Sequence, residues 1–129
     1  MRIDHVALWT ADLEASARFW SEHFGAQVGS RYESTGRLGF ASRFVTLPGG
    51  GATVELMTGP WVRSIPESDD ERQGWAHVAV SVGSVDRVRE LAARFMAAGL
   101  LVSPPRTTGD GFYEAIARAP DGTLVDITS

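Results

Sequence analysis

The chain contains no cysteine. Disulfides, thiolate nucleophiles and cysteine-based zinc sites are therefore excluded. It has no excess of positive charge either: twelve Lys and Arg against sixteen Asp and Glu leave a net charge of −4, which argues against a basic nucleic-acid or lipid-headgroup surface. No apolar run approaches the roughly 20 residues that a membrane span needs, and the opening Met1-Arg2-Ile3-Asp4 has no apolar signal core. A soluble, cytoplasmic protein without nucleic-acid or membrane partners is expected. Composition argues against disorder, since 43% of the residues are hydrophobic and 22% charged. At 129 residues the chain is long enough for one compact domain with a real core.

What the chain does have is a repeat. The stretch Trp75 to Val82 restates Ile3 to Leu8; both are apolar and β-branched enough for strands, and each carries one histidine flanked by Val and Ala. His5 and His77 are 72 positions apart. The same offset relates Asp12 to Ser84 and Pro48 to Pro120, so two copies of one supersecondary unit are expected. Asp12 reads as the N-cap of a helix with Leu13, Ala17, Trp20 and Phe24 on one row, stopped by Gly25. Ser84 caps a second helix carrying Val85, Val88, Leu91, Ala92 and Phe95, stopped by Gly99. Three strands complete the first half, about Ala26 to Tyr32, Leu38 to Leu47 and Ala52 to Thr58. Three complete the second, Leu100 to Ser103, Phe112 to Arg118 and Leu124 to Thr128. The plan is α+β, a βαβββ module over 1–58, a linker over 59–74 and a second βαβββ module over 75–129. Two prolines and the charged run Glu67 to Arg72 mark the linker as solvated, with Trp61 packing it onto the core.

Polar residues on these strands point to chemistry. Glu55 lies among Val54, Leu56 and Met57, an unfavourable place for a charge unless it is paired, protonated or bound to a cation. Asp126 takes the corresponding position in Leu124-Val125-Asp126-Ile127, 71 residues on. Each half thus carries a histidine on its first strand and a carboxylate on its last. Together His5, Glu55, His77 and Asp126 make an N2O2 ligand set. His23, near the end of the first helix, has no counterpart and suits the helix dipole there.

The doubled βαβββ unit, with His-Val-Ala opening each half, Val-Glu-Leu-Met closing the first and Pro-Asp-Gly-Thr-Leu-Val-Asp-Ile closing the second, resembles the vicinal oxygen chelate superfamily. That is the group of glyoxalase I, bleomycin-resistance proteins and extradiol dioxygenases. The resemblance covers nearly the whole chain and implies a single domain over 1–129, its two modules forming a curved eight-stranded mixed sheet around a cleft. In glyoxalase I-like members the metal ligands occupy the places of His5, Glu55, His77 and Asp126, the last normally being glutamate. It implies a divalent metal (Ni, Zn, Co, Mn or Fe), with Glu55 or Asp126 as the base of a lyase or isomerase. A small-molecule substrate and a homodimer are also implied.

Substrate identity is narrowed by two departures. Glutathione-using glyoxalases place an arginine four residues after the first histidine and an asparagine four after the first glutamate; here these are Trp9 and Gly59, so a substrate other than the glutathione adduct is expected. Pairing Leu47 with Ala52 across the Pro48 to Gly51 turn puts Phe44 opposite Glu55, and similar counting puts Tyr113 on the face of Asp126. Trp9, Phe44, Met57 and Tyr113 would then line an aromatic substrate pocket. The alternatives within the superfamily are a metal-free bleomycin-resistance-like binding protein, an extradiol dioxygenase using His5, His77 and Asp126, and a thiol transferase using the same three.

Overall fold

The computed structural model of the chain describes residues 2–63, 71 and 73–129. It divides into two compact units, Met1–Pro66 and Glu67–Ser129. Of the run Glu67 to Arg72, expected to be a solvated link, only the exposed Glu71 lies within the described residues. Among those residues no helix is long and apolar enough to cross a membrane.

The first unit runs β1 (His5–Trp9), α1 (Leu13–Phe24), β2 (Gln27–Val28), β3 (Tyr32–Glu33), β4 (Ala41–Thr46) and β5 (Thr53–Thr58). Its sheet has the order β1-β5-β4-β2, with β3 also paired to β4. The Asp12 carboxylate accepts from the Ala15 amide at 2.9 Å, capping α1. Gly25 ends the helix at φ 65°, a left-handed conformation that glycine adopts without steric cost. The apolar row of α1 lies on β4 and β5. Leu13, Ala17, Phe19 and Trp20 are buried there with Val45, Val54 and Leu56, each large side chain contributing on the order of 2 kcal/mol by leaving water. Alternation along β1 and β5 then leaves His5, Ala7, Trp9, Thr53, Glu55 and Met57 on the other face of the sheet.

The second unit runs β6 (Val78–Ser81), α2 (Val85–Ala97), β7 (Leu101–Thr107), β8 (Tyr113–Arg118) and β9 (Leu124–Thr128), with sheet order β6-β9-β8-β7. Ser84 caps α2 by accepting from the Arg87 amide. Val88, Leu91, Ala92 and Phe95 are buried, and α2 packs on β7, β8 and β9, whose Ala115, Ala117, Val125 and Ile127 are also buried.

The α+β class, both helices and both caps agree with the sequence reading, but nine strands form among the described residues where eight were expected. The segment Ala26 to Tyr32 breaks into β2 and β3 because Ser30 and Arg31 leave the ladder. The Gly29 amide still reaches Phe44 O at 2.8 Å, while the Gly29 carbonyl accepts from Arg43 and Arg31 turns to Glu14 and Glu33. β7 runs four residues past the expected Ser103. It passes through Pro104 and Pro105 with register shifts against β8, which an edge strand tolerates because its outer side needs no proline N–H.

Candidate functional site

In both units the parallel pairing puts an alanine opposite the carboxylate: Ala7 faces Glu55 and Ala79 faces Asp126. Two residues before each alanine comes the histidine, on the same face. In the first unit His5 Nε2 lies 3.8 Å from Glu55 Oε2. In the second, His77 Nε2 lies 3.4 Å from Asp126 Oδ2. Aspartate is a methylene shorter than glutamate, yet its oxygen approaches its imidazole more closely. Among the described residues of neither unit do three such donors come together; each brings two.

The pairs can be tested against a metal on their own geometry. Two ligands about 2.1 Å from one ion stand about 3.0 Å apart at a right angle and about 3.4 Å apart at the tetrahedral angle. The second pair fits that range and the first is a few tenths of an ångström wide. Asp126 is buried, and its Oδ1 has no hydrogen-bond partner; neither has Thr128 Oγ1 on the same strand face. An unpartnered buried carboxylate oxygen is destabilising by roughly 1–3 kcal/mol unless something cationic completes it. The donor set therefore fits a divalent ion.

Asp4, which the sequence reading passed over, orients the first imidazole. Its Oδ2 lies 3.2 Å from His5 Nδ1, and its Oδ1 accepts from Arg2 at 3.0 Å. A carboxylate on the far nitrogen sets the tautomer that leaves Nε2 a lone pair. The signal available in the sequence was an acidic residue directly beside the histidine.

Phe44 is opposite Glu55, as the turn counting expected, and its ring meets His5 edge-on at 5.7 Å. Trp9 pairs with Met57 on the same face. Tyr113 requires a correction. Across β8 and β9 it is Ile116 that lies opposite Asp126, so Tyr113 is on the other face, towards α2. There the Arg89 guanidinium donates to its hydroxyl at 3.1 Å and lies over its ring; this bond is the main cause that raises the Arg89 pKa. Glu114 and Ile116 take the places on the Asp126 face. The turn at Pro120-Asp121-Gly122 pairs Arg118 with Leu124, and an odd-residue error in such counting reverses every facing.

The two departures Trp9 and Gly59 meet in one cluster. Trp61 lies against Gly59, where a Cβ would fall 2.5 Å from its ring. Phe40 meets Trp9 edge-on at 6.1 Å, and the Arg37 guanidinium lies over Trp9, Phe40 and Trp61.

If Asp126 is held for a ligand and not for the fold, Asp126→Asn should raise the stability of chelator-treated protein by about 1 kcal/mol and abolish any stabilisation by added metal. Thermal melts with and without chelator measure both. A loss of stability in the chelated protein would make Asp126 a structural partner of His77 instead.

A family model described as the Glyoxalase/Bleomycin resistance protein/Dioxygenase superfamily matches residues 2–127. Among solved structures, a glyoxylase/bleomycin resistance protein/dioxygenase domain from Frankia sp. EAN1pec is similar with a TM-score of 0.82 and 22% identity, over 99% of this chain and 96% of that one. A glyoxalase family protein from Enterococcus faecalis gives 0.78 at 21% identity, over 99% and 97%. The trypanothione-dependent glyoxalase I of Leishmania major gives 0.76 at 20% identity, over 100% and 86%. At these identities the structures speak for the fold alone. No curated protein matches the chain.

Proposed function

This chain belongs to the Glyoxalase/Bleomycin resistance protein/Dioxygenase superfamily, and from that membership we propose that it is a divalent-metal-dependent lyase or isomerase of glyoxalase I type. Its substrate is a small oxygenated molecule other than the glutathione adduct. The single observation that carries the reading is the recurrence in both units of an imidazole Nε2 facing a carboxylate oxygen, at 3.8 and 3.4 Å.

His5, Glu55, His77 and Asp126 would hold the ion, and such a donor set accommodates nickel, zinc, cobalt, manganese or iron. When bound, it supplies Lewis acidity that polarises neighbouring substrate oxygens and acidifies the adjacent C–H. The rest is done by side chains. Asp4 fixes the His5 ring, and Phe44 restricts it from the neighbouring strand. Glu55, mostly withdrawn from solvent on the same strand face, takes a proton from one substrate carbon and returns it to the next. Asp126 is the second candidate base. Trp9 and Met57 give that face the apolar surface that a small organic substrate needs.

The test is to strip wild-type protein with chelator, offer the five metals in turn and measure what is retained. Loaded protein is then screened with hemithioacetals, catechols and epimerisable acyl thioesters. About one ion per site with hemithioacetal or thioester turnover supports the reading. Retention of no metal overturns it and favours the binding protein; ring cleavage of catechols overturns it in favour of the dioxygenase. Light scattering on the same preparation tests the expected homodimer.

A further inference from the structure

The connection between β3 and β4 carries an exposed arginine, Arg37, whose guanidinium lies over three aromatic rings. Arg37 lies 4.2 Å from the centroid of the Trp61 ring, 5.5 Å from Trp9 and 5.6 Å from Phe40. The rings are held in place by close packing. Gly59 leaves no room for a Cβ beneath Trp61, and a Cβ on Gly39 would stand 2.9 Å from Pro60, so the two segments bearing Arg37 and Trp61 meet backbone to side chain.

Among the described residues no carboxylate pairs with Arg37. Its neighbours in the unit are otherwise occupied: Arg31 and Arg43 by Glu14 and Glu33, Arg63 by the carbonyls of Pro60 and Val62. The chain has no lysine, so a side-chain cation for an anionic ligand must be an arginine or a histidine. A guanidinium has five N–H donors, more than contacts with ring faces can occupy, so donors remain for an anion. Their planar fork matches a carboxylate in two parallel bonds. Trp9 shares its β1 face with His5 four residues away, a distance of about 13 Å along a strand.

We propose that Arg37, clamped by Trp9, Phe40 and Trp61, is the specificity residue that anchors a carboxylate of the substrate. The substrate class is then an elongated organic acid, its carboxylate at the Arg37 end and its reacting oxygens at the His5–Glu55 end. The assignment of the reacting end rests on the function proposed above; the anchoring of the carboxylate does not need the metal.

Binding is therefore tested on chelator-treated protein, with octanoate as the probe and octanamide as its neutral counterpart, read by tryptophan fluorescence and by NMR. Wild type is expected to bind octanoate about tenfold more tightly than octanamide. Arg37→Gln should bind the two equally, and Arg37→Lys should keep part of the preference. Equal affinities in wild type overturn the proposal. So does a preference that survives in Arg37→Gln, or an Arg37→Gln variant whose only change is a lower melting temperature, which would make the residue a loop staple. Because the titration contains no metal, failure of the metalloenzyme reading shows in metal retention and leaves this result standing, and the reverse holds equally.

Discussion

Replacing His77 by alanine is expected to weaken divalent-ion binding more than 100-fold and to reduce turnover to background. The size follows from comparison with weaker lesions. Loss of a residue that merely orients a ligand typically lowers metal affinity 10–100-fold, so loss of a ligand itself must exceed that, and each further tenfold is about 1.4 kcal/mol. His77 is the better test of the two imidazoles. It is exposed and lies just before β6, so its removal leaves the α2 core intact, whereas His5 also holds Asp4 and Phe44. Metal retained after dialysis, measured by mass spectrometry with circular dichroism as a check on folding, decides the matter. A His77→Ala protein that keeps wild-type metal content shows that the ligand set is wrongly assigned. Asp4→Ala supplies the internal scale, since it should fall within the 10–100-fold range through His5.

The second large effect concerns the fold. Phe95→Ala should lower stability by about 3–5 kcal/mol and the melting temperature by roughly 10–20 °C. Phe95 has no exposed surface, and the groups packed in the same unit, Val88, Val125 and Ile127, are likewise fully enclosed. Truncation therefore opens a cavity that β-strand neighbours cannot collapse into without breaking their ladders. Urea denaturation gives the value directly. A change below about 1 kcal/mol would be that of a surface substitution and would contradict the packing of α2 on its sheet. Metal retention by whatever fraction stays folded should be unaffected, separating this lesion from the one at His77.

The two predictions differ in how far each was legible beforehand. Phe95 could be named from spacing alone, because a helix face is written in consecutive residues three and four apart. So could Phe44 opposite Glu55, where a short glycine turn joins adjacent strands and the counting spans few residues. Tyr113 went wrong by the same method: the Pro120 turn closes one pair differently, and a single odd step sends a side chain to the helix side. Asp4 was passed over because an acidic residue beside a histidine is common, and only its 3.2 Å approach to Nδ1 distinguishes it. Arg37 had no signal at all. Its significance comes from Trp9, Phe40 and Trp61, which stand on three separate segments, and from glycines that let those segments touch.

By itself the amino-acid sequence determined the α+β class, the two helices with their Asp12 and Ser84 caps, the strand-then-helix opening of each half and the recurrence of one strand histidine and one strand carboxylate in each. These rest on local physics: periodicity, capping and the cost of charge among apolar neighbours act within a few residues and repeat at the 72-residue offset. Only the tertiary structure decided the break between β2 and β3, the facing of Tyr113, the Nε2-to-carboxylate distances and the rings around Arg37. Those depend on register and on contacts between segments far apart in the chain, where one residue of slip, or one missing Cβ, changes which groups meet.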